Sequence, residues 1–224
     1  MVNNITALRD IHRGKDIYVV ASGKSLDYFS STFFDDRIVI GVNQVYKKIR
    51  TKYLVYKEPK LLDKAVATGA KVLLSKHRYG NTRLPLNVIP RDSRNVYTYR
   101  HNCNTDAGII DSSDIKEKLI VSKSTITTAI HAAAYMGAGS IFIVGHDCGL
   151  INNEANFSGY YDTITDTPWK QWDDYKAWLL TIEAQTKNVK ALISKAYSCN
   201  IHSINPFINF NLEGQKYSGE NNIN

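Results

Sequence analysis

The stretch "SKSTITTAIHAAAYMGAGSIFIVGHDCG" (residues 122–149) carries two hydrophobic periods in succession, and their order decides the fold. Ser124 stands where a helix would be capped, and the small residues Ala129, Ala132, Ala133 and Ala134 permit close packing of that helix. Gly137 and Gly139 end it. A short continuous apolar run, 140–144, follows and opens directly onto Gly145-His146-Asp147. A helix followed by a buried strand and then a polar loop is half of a βαβ unit.

Working outward, the same strand signature recurs at 17–21, 37–42, 53–56, 71–75 and, at the end of the chain, 200–203. These are short apolar runs bounded by turn residues, as in strands covered on both faces. A short helix is predicted at about 4–12, stopped by Gly14, and a long one at 174–196. Between 78 and 113 the period breaks, with Pro85, Pro90 and many polar residues, so a loop-rich insertion is expected, with one short strand at 95–99. A second irregular stretch, 150–173, reads as a lid-like segment, and the Asn- and Gly-rich 213–224 as a frayed tail. The expectation is a single α/β domain over 1–212, a Rossmann-like, doubly wound, mostly parallel sheet. In that class ligands lie beyond the carboxyl ends of the strands.

Composition is consistent with this. The 224 residues are 43% hydrophobic and 22% charged, as in an ordinary globule. No run approaches the roughly 20 apolar residues a membrane helix needs, and the start lacks a secretory layout, so a cytoplasmic protein is expected. Cys103, Cys148 and Cys199 form neither a disulfide framework nor a zinc spacing. The net charge of +7 favours an anionic partner. The basic residues are dispersed, which argues against nucleic acid and leaves a phosphorylated small molecule or a peripheral contact with an acidic membrane. A homo-oligomer stays open.

The strand ends hold the candidate chemistry. Gly23-Lys24-Ser25 resembles the end of a phosphate-wrapping loop, but the glycine such a loop needs earlier would fall at Tyr18, inside a strand. What remains is a tight turn, Ser22 to Ser25, that either brings backbone N–H groups to an anion or is simply a turn. Asn43 and Gln44 offer donors and acceptors for a ribose or a base, or cap their own loop. Ser124 and Thr125 begin a helix whose N-terminus caps itself or holds a carboxylate or phosphate. His146, Asp147 and Cys148 lack a partner pair for a metal. Asp147 suits instead an acceptor for a sugar hydroxyl or for loop amides. Tyr160 and Tyr161 are able to donate to a leaving phosphate or to pack.

Taken in order, these strand ends resemble the small bacterial sialyltransferases of glycosyltransferase family 42 and, more distantly, the domain shared with 6-hydroxymethylpterin diphosphokinase. Ala21-Ser22-Gly23-Lys24-Ser25-Leu26 is similar to the family's Gly-x-Gly-Pro-Ser-Leu turn, Asn43-Gln44 to its Asn-Gln, and Tyr56-Lys57-Glu58-Pro59 to its Tyr-Asn-Pro. Ser124-Thr125 resembles its Thr-Ser, Gly145-His146-Asp147-Cys148 its Gly-Ile-Asp-Phe, and residues 158–163 a Tyr-bearing loop. The resemblance implies a metal-independent transfer of sialic acid or a related sugar from a CMP-linked nucleotide-sugar donor to a glycan hydroxyl, with no cofactor. It places Ser22, Gly23, Lys24, Ser25, Asn43, Gln44, Glu58, Ser124, Thr125 and Asp147 around the donor and Tyr160 or Tyr161 on the departing phosphate. The family's histidine base is absent at its expected place, where Lys190-Ala191-Leu192 read backwards without gaps puts Glu183; His146 is the other candidate base. The alternatives are an ATP- and magnesium-dependent diphosphokinase and a non-catalytic nucleotide-binding module.

Overall fold

The computed structural model describes residues 2–56, 62–76, 93–102, 118–122, 124–162 and 175–204. Among the described residues nine strands make one sheet: β1 (Asn3–Asn4), β2 (Asp16–Val20), β3 (Ile38–Val42), β4 (Tyr53–Tyr56), β5 (Lys71–Ser75), β6 (Val96–Asn102), β7 (Lys118–Ile120), β8 (Ser140–Val144) and β9 (Asn200–Ile204). Their order is β1-β6-β5-β4-β3-β2-β8-β9, with β7 pairing farther along β6. Every pairing is parallel; at the centre, Ile17 aligns with Ile38 on one side and with Ile141 on the other. The helices are α1 (Leu62–Ala67), α2 (Thr125–Tyr135) and α3 (Tyr175–Tyr197). This is a Rossmann-like, parallel sheet.

Parallel strands need crossovers that cover both faces, which is why β2 reads as a continuous apolar run rather than an alternating one. Ile17 and Val19 pack with Ile130, Ala133 and Val189 on the helical face. Val20 packs instead with Leu26, Phe29, Phe34, Val45 and Phe157 on the other face. All eleven residues of α2 are buried, between the sheet and α3. Its alanines make that depth possible, since a helix enclosed on all sides has no polar face to offer water.

Four differences from the sequence reading have local causes. The expected N-terminal helix is a single 3₁₀ turn, Ile5–Leu8, between Asn4, whose side chain accepts from the Thr6 amide at 3.0 Å, and an extended Arg9. Ile5 and Leu8 are both buried, and the spacing of three that brought them together suits one 3₁₀ turn as well as it suits a helix. The strand expected at 95–99 runs on to Asn102 and is an inner member of the sheet, paired with β5 and β1. β7 was not anticipated; three residues carry too little period to be read. Ser124 occupies the N-cap position of α2, but its side chain makes no capping hydrogen bond.

Candidate active site

After β2 the chain moves through β3 to β6 on one side, whereas β8 is followed by β9 on the other. The connections leaving β2 and β8 therefore diverge, and a crevice opens between their carboxyl ends. A cleft of about 370 Å³ lies there, walled by residues following β2, β3 and β8, by the start of α2, by residues 155, 156, 160 and 161, and by α3.

The turn after β2 is closed from within. The Gly23 N–H donates to the Gly145 carbonyl at 2.7 Å. The Ser25 N–H donates to Asp147 Oδ2 at 2.7 Å, the Ser25 hydroxyl donates to Asp147 Oδ1, and the Lys24 N–H also reaches this carboxylate. Asp147 is buried, and burial pushes its pKa up to about 6 against the pull of those hydrogen bonds. Gly23 is required by proximity: a Cβ there would lie 2.4 Å from the Gly145 oxygen and 2.5 Å from Asp147 Cγ. Gly145 has φ of +67°, and its Cβ would meet the Ala21 oxygen at 2.5 Å. The amides expected to clasp a ligand's phosphate are thus spent on Gly145 and Asp147. The turn holds an anion, and the anion is the protein's own.

Residues 151–162 tie down the other side of this turn. Asn156 forms an antiparallel bridge with Gly23, and its Nδ2 donates to Ser22 Oγ at 2.9 Å. The Phe157 N–H donates to the Ser22 carbonyl at 3.0 Å, and the Ser158 N–H to Asp27 Oδ2 at 2.9 Å. Burial opposes ionisation of Asp27, but hydrogen bonds from Lys48, Ser158 and Lys24 outweigh it and hold the carboxyl well below its usual range. Lys24 lies 2.9 Å from Asp27 and 3.0 Å from Ser158 Oγ, so it braces this strap instead of entering the cleft.

Three groups in the cleft are differently placed. Asn43 adopts φ of +54°, and its buried Oδ1 has no hydrogen-bond partner among the described residues. The start of α2 presents Ser124, Thr125 and Ile126; the Ser124 side chain does not cap it, and the positive end of the helix dipole meets the cleft. His146 Nε2 lies 2.9 Å from Thr186 Oγ1. The Thr186 hydroxyl also reaches the Ile182 carbonyl at 2.9 Å, and Cys148 Sγ lies 3.4 Å from Nε2; with the hydroxyl hydrogen on Ile182, Nε2 donates to Thr186 and the lone pair stays on Nδ1. Burial, then Lys190, lowers the His146 pKa to about 4, which leaves the ring neutral at pH 7.

Ser22, Gly23, Asn43, Ser124, Thr125, His146, Asp147, Tyr160 and Tyr161 thus come together around one cleft. Lys24, Ser25, Gln44 and Glu183 do not line it; Glu183 is paired with Lys187 at 2.6 Å on α3. Ser25 is fully buried beneath Asp147. Asp147, read as an acceptor for a sugar hydroxyl or for loop amides, serves the amides. Glu58 lies outside the described residues. Asn156 and Trp178 were not singled out: Asn156 sits in a stretch without period, and Trp178 read only as an apolar helix position. Among the described residues no group of three or more His, Cys, Asp and Glu side chains is placed to hold a metal ion.

No family model and no curated protein matches the chain. Solved structures resemble it in fold. The Maf glycosyltransferase of Magnetospirillum magneticum AMB-1 superposes with a TM-score of 0.51 at 14% identity, over 96% of this chain and 37% of that one. The sialyltransferase CstII of Campylobacter jejuni, solved with the substrate analogue CMP-3FNeuAc, gives 0.48 at 13% identity over 84% and 80% of the two chains. The monofunctional α-2,3-sialyltransferase Cst-I of the same organism gives 0.44 at 12% over 94% and 88%.

Proposed function

We propose that this chain is a glycosyltransferase that takes a sugar, sialic acid or a relative, from a CMP-linked donor and passes it to a glycan hydroxyl without a metal ion. The observation that carries the reading is the convergence, at the topological switch point, of an orphaned amide oxygen on Asn43, an uncapped helix N-terminus at Ser124 and a neutral imidazole at His146. The ordered motifs of the sequence support cytidine as the nucleoside.

Each group has a chemical task. The first turn of α2 receives the donor's negative charge, its phosphate or its carboxylate, which a helix N-terminus and its dipole favour. Asn43 Oδ1 accepts an N–H or O–H of the nucleoside, since that acceptor has no partner among the described residues. Tyr160 and Tyr161, which line the same cleft, are the donors proposed for the leaving phosphate. The bond from the anomeric carbon to the phosphate oxygen breaks, the acceptor oxygen bonds to that carbon, and its proton passes to His146 Nδ1. A base with a pKa near 4 is weak, yet it is fully unprotonated at neutral pH. It suffices when the proton leaves late, after the developing oxocarbenium ion has acidified the alcohol. Thr186 fixes the tautomer through Nε2.

A diphosphokinase would need acidic ligands for magnesium at these strand ends, and Asp147, one of the two candidates, is engaged by the turn. Thermal denaturation with cytidine, uridine, guanosine and adenosine nucleotides, each with and without chelator, tests the reading. A nucleotide at about 100 times its Kd adds roughly 2.7 kcal/mol. Stabilisation by CMP that survives the chelator is expected. A response only to adenosine nucleotides with magnesium would support the diphosphokinase, and no response would leave a non-catalytic module.

A further inference from the structure

A second concavity lies at the opposite, amino-terminal end of the strands, with a volume of about 750 Å³. Four cations from three connections face it: Arg37 ahead of β3, Arg50 and Lys52 ahead of β4, and Lys71 at the start of β5. Asp35 and Asp36 also line it, but none of these six charged side chains is in an ion pair among the described residues.

Two of these cations, Arg37 and Lys71, are positioned by rings rather than by carboxylates. The Arg37 guanidinium lies 4.1 Å from the Phe33 ring centroid and 5.1 Å from that of Tyr18. The Lys71 ammonium lies 5.8 Å from Tyr53 and 5.7 Å from Tyr97. A ring face orients a cation and leaves its N–H donors unspent. Thr51, buried at the floor of this region between Arg50 and Lys52, has a hydroxyl with no partner among the described residues. The neighbouring His12 senses the excess: burial first, then the charges of Lys52 and Lys71, disfavours its protonation. A concave site of this size in which four cations outnumber two carboxylates concentrates anions.

We propose that this concavity is a binding site for a phosphoryl-bearing anion, separate from the cleft at the carboxyl end of the sheet. The inference does not depend on the glycosyltransferase reading. The shared chemistry is the phosphoryl oxygen, presented by a soluble phosphorylated molecule or by a lipid headgroup.

The test uses the full chain, with pyrophosphate as the soluble probe and vesicles of equal parts phosphatidylcholine and phosphatidylglycerol as the lipid probe. Arg50 and Lys52 are exposed, so the double variant R50Q/K52Q is expected to fold. Calorimetric titration is expected to show pyrophosphate binding that weakens about tenfold or more in this variant, each lost charge-assisted bond being large enough to matter at that scale. It is expected to be unchanged in N43G, which alters only the other cleft. Sedimentation with vesicles that depends on the same two residues assigns the site to a headgroup; its absence beside pyrophosphate binding assigns it to a soluble ligand. The proposal is overturned if neither probe binds, if binding is insensitive to R50Q/K52Q, or if a random-sequence RNA binds and pyrophosphate does not. Failure of CMP to bind the cleft would leave this result untouched.

Discussion

Replacing Asp147 with asparagine tests whether the turn after β2 is occupied by the protein's own carboxylate. Burial moves that group's pKa from 3.8 to about 6. At roughly 1.4 kcal/mol per pH unit, the ionised form costs the folded state about 3 kcal/mol above pH 6. The sign follows from the raised pKa: the carboxyl's contribution is fully present below 3.8 and is lost as pH rises through about 6. Asparagine imitates the protonated acid, keeping an acceptor for the Ser25 N–H while its Nδ2 donates to Ser25 Oγ. In urea unfolding, D147N should exceed the wild type by up to about 3 kcal/mol near neutral pH, and the difference should shrink to below about 1 kcal/mol at about pH 4. D147A should fall below D147N by about 3 kcal/mol or more, because three donors at about 1–3 kcal/mol each lose their acceptor. CMP affinity should be the same in D147N as in the wild type. A D147N protein less stable than the wild type at neutral pH, or a difference that does not change with pH, would refute the reasoning.

Other outcomes follow from the same geometry. G23A places a methyl group 2.4 Å from the Gly145 oxygen; denaturant titration should register a loss of about 1–3 kcal/mol. N43G preserves the left-handed backbone and removes only the amide, so nucleotide affinity should fall about tenfold with little change in stability. H146N should lower kcat by about 10²–10⁴ while leaving nucleotide binding intact, as measured by turnover beside equilibrium titration. Burial holds the pKa of His131 down to about 3 and that of His146 to about 4, so as pH falls below 6.5 each should take about 1.4 kcal/mol per pH unit from the stability. Between about 6 and 3.8 Asp147 opposes this, so the acid loss should steepen in D147N.

The sheet was legible because burial on both faces leaves a mark in the sequence: β4, β5 and β8 fall where their apolar runs do, and in β4 and β5 four consecutive side chains are buried. The cleft was legible for a topological reason, as residues just after parallel strands must gather at one edge, and Ser22, Asn43 and His146 do. Which groups face a ligand was not. Sequence cannot distinguish a glycine that admits a phosphate from one that admits the next strand's carbonyl, and Gly23 is the second kind. Asp147 is 122 residues from Ser25, so nothing local announces that it fills the turn. A separation of 134 residues likewise hides Asn156, whose bond to Ser22 closes the strap.

The central claim is that the cleft, and not the turn, receives the nucleotide. Titrating CMP into ¹⁵N-labelled protein tests it most directly. The Asn43 side-chain amide and the backbone amides of Thr125, Ile126 and Thr127 should shift, with those of Gly23, Lys24 and Ser25 nearly still. Shifts centred on Gly23 to Ser25 with α2 silent, or no shifts near the cleft at saturating CMP, would contradict the account.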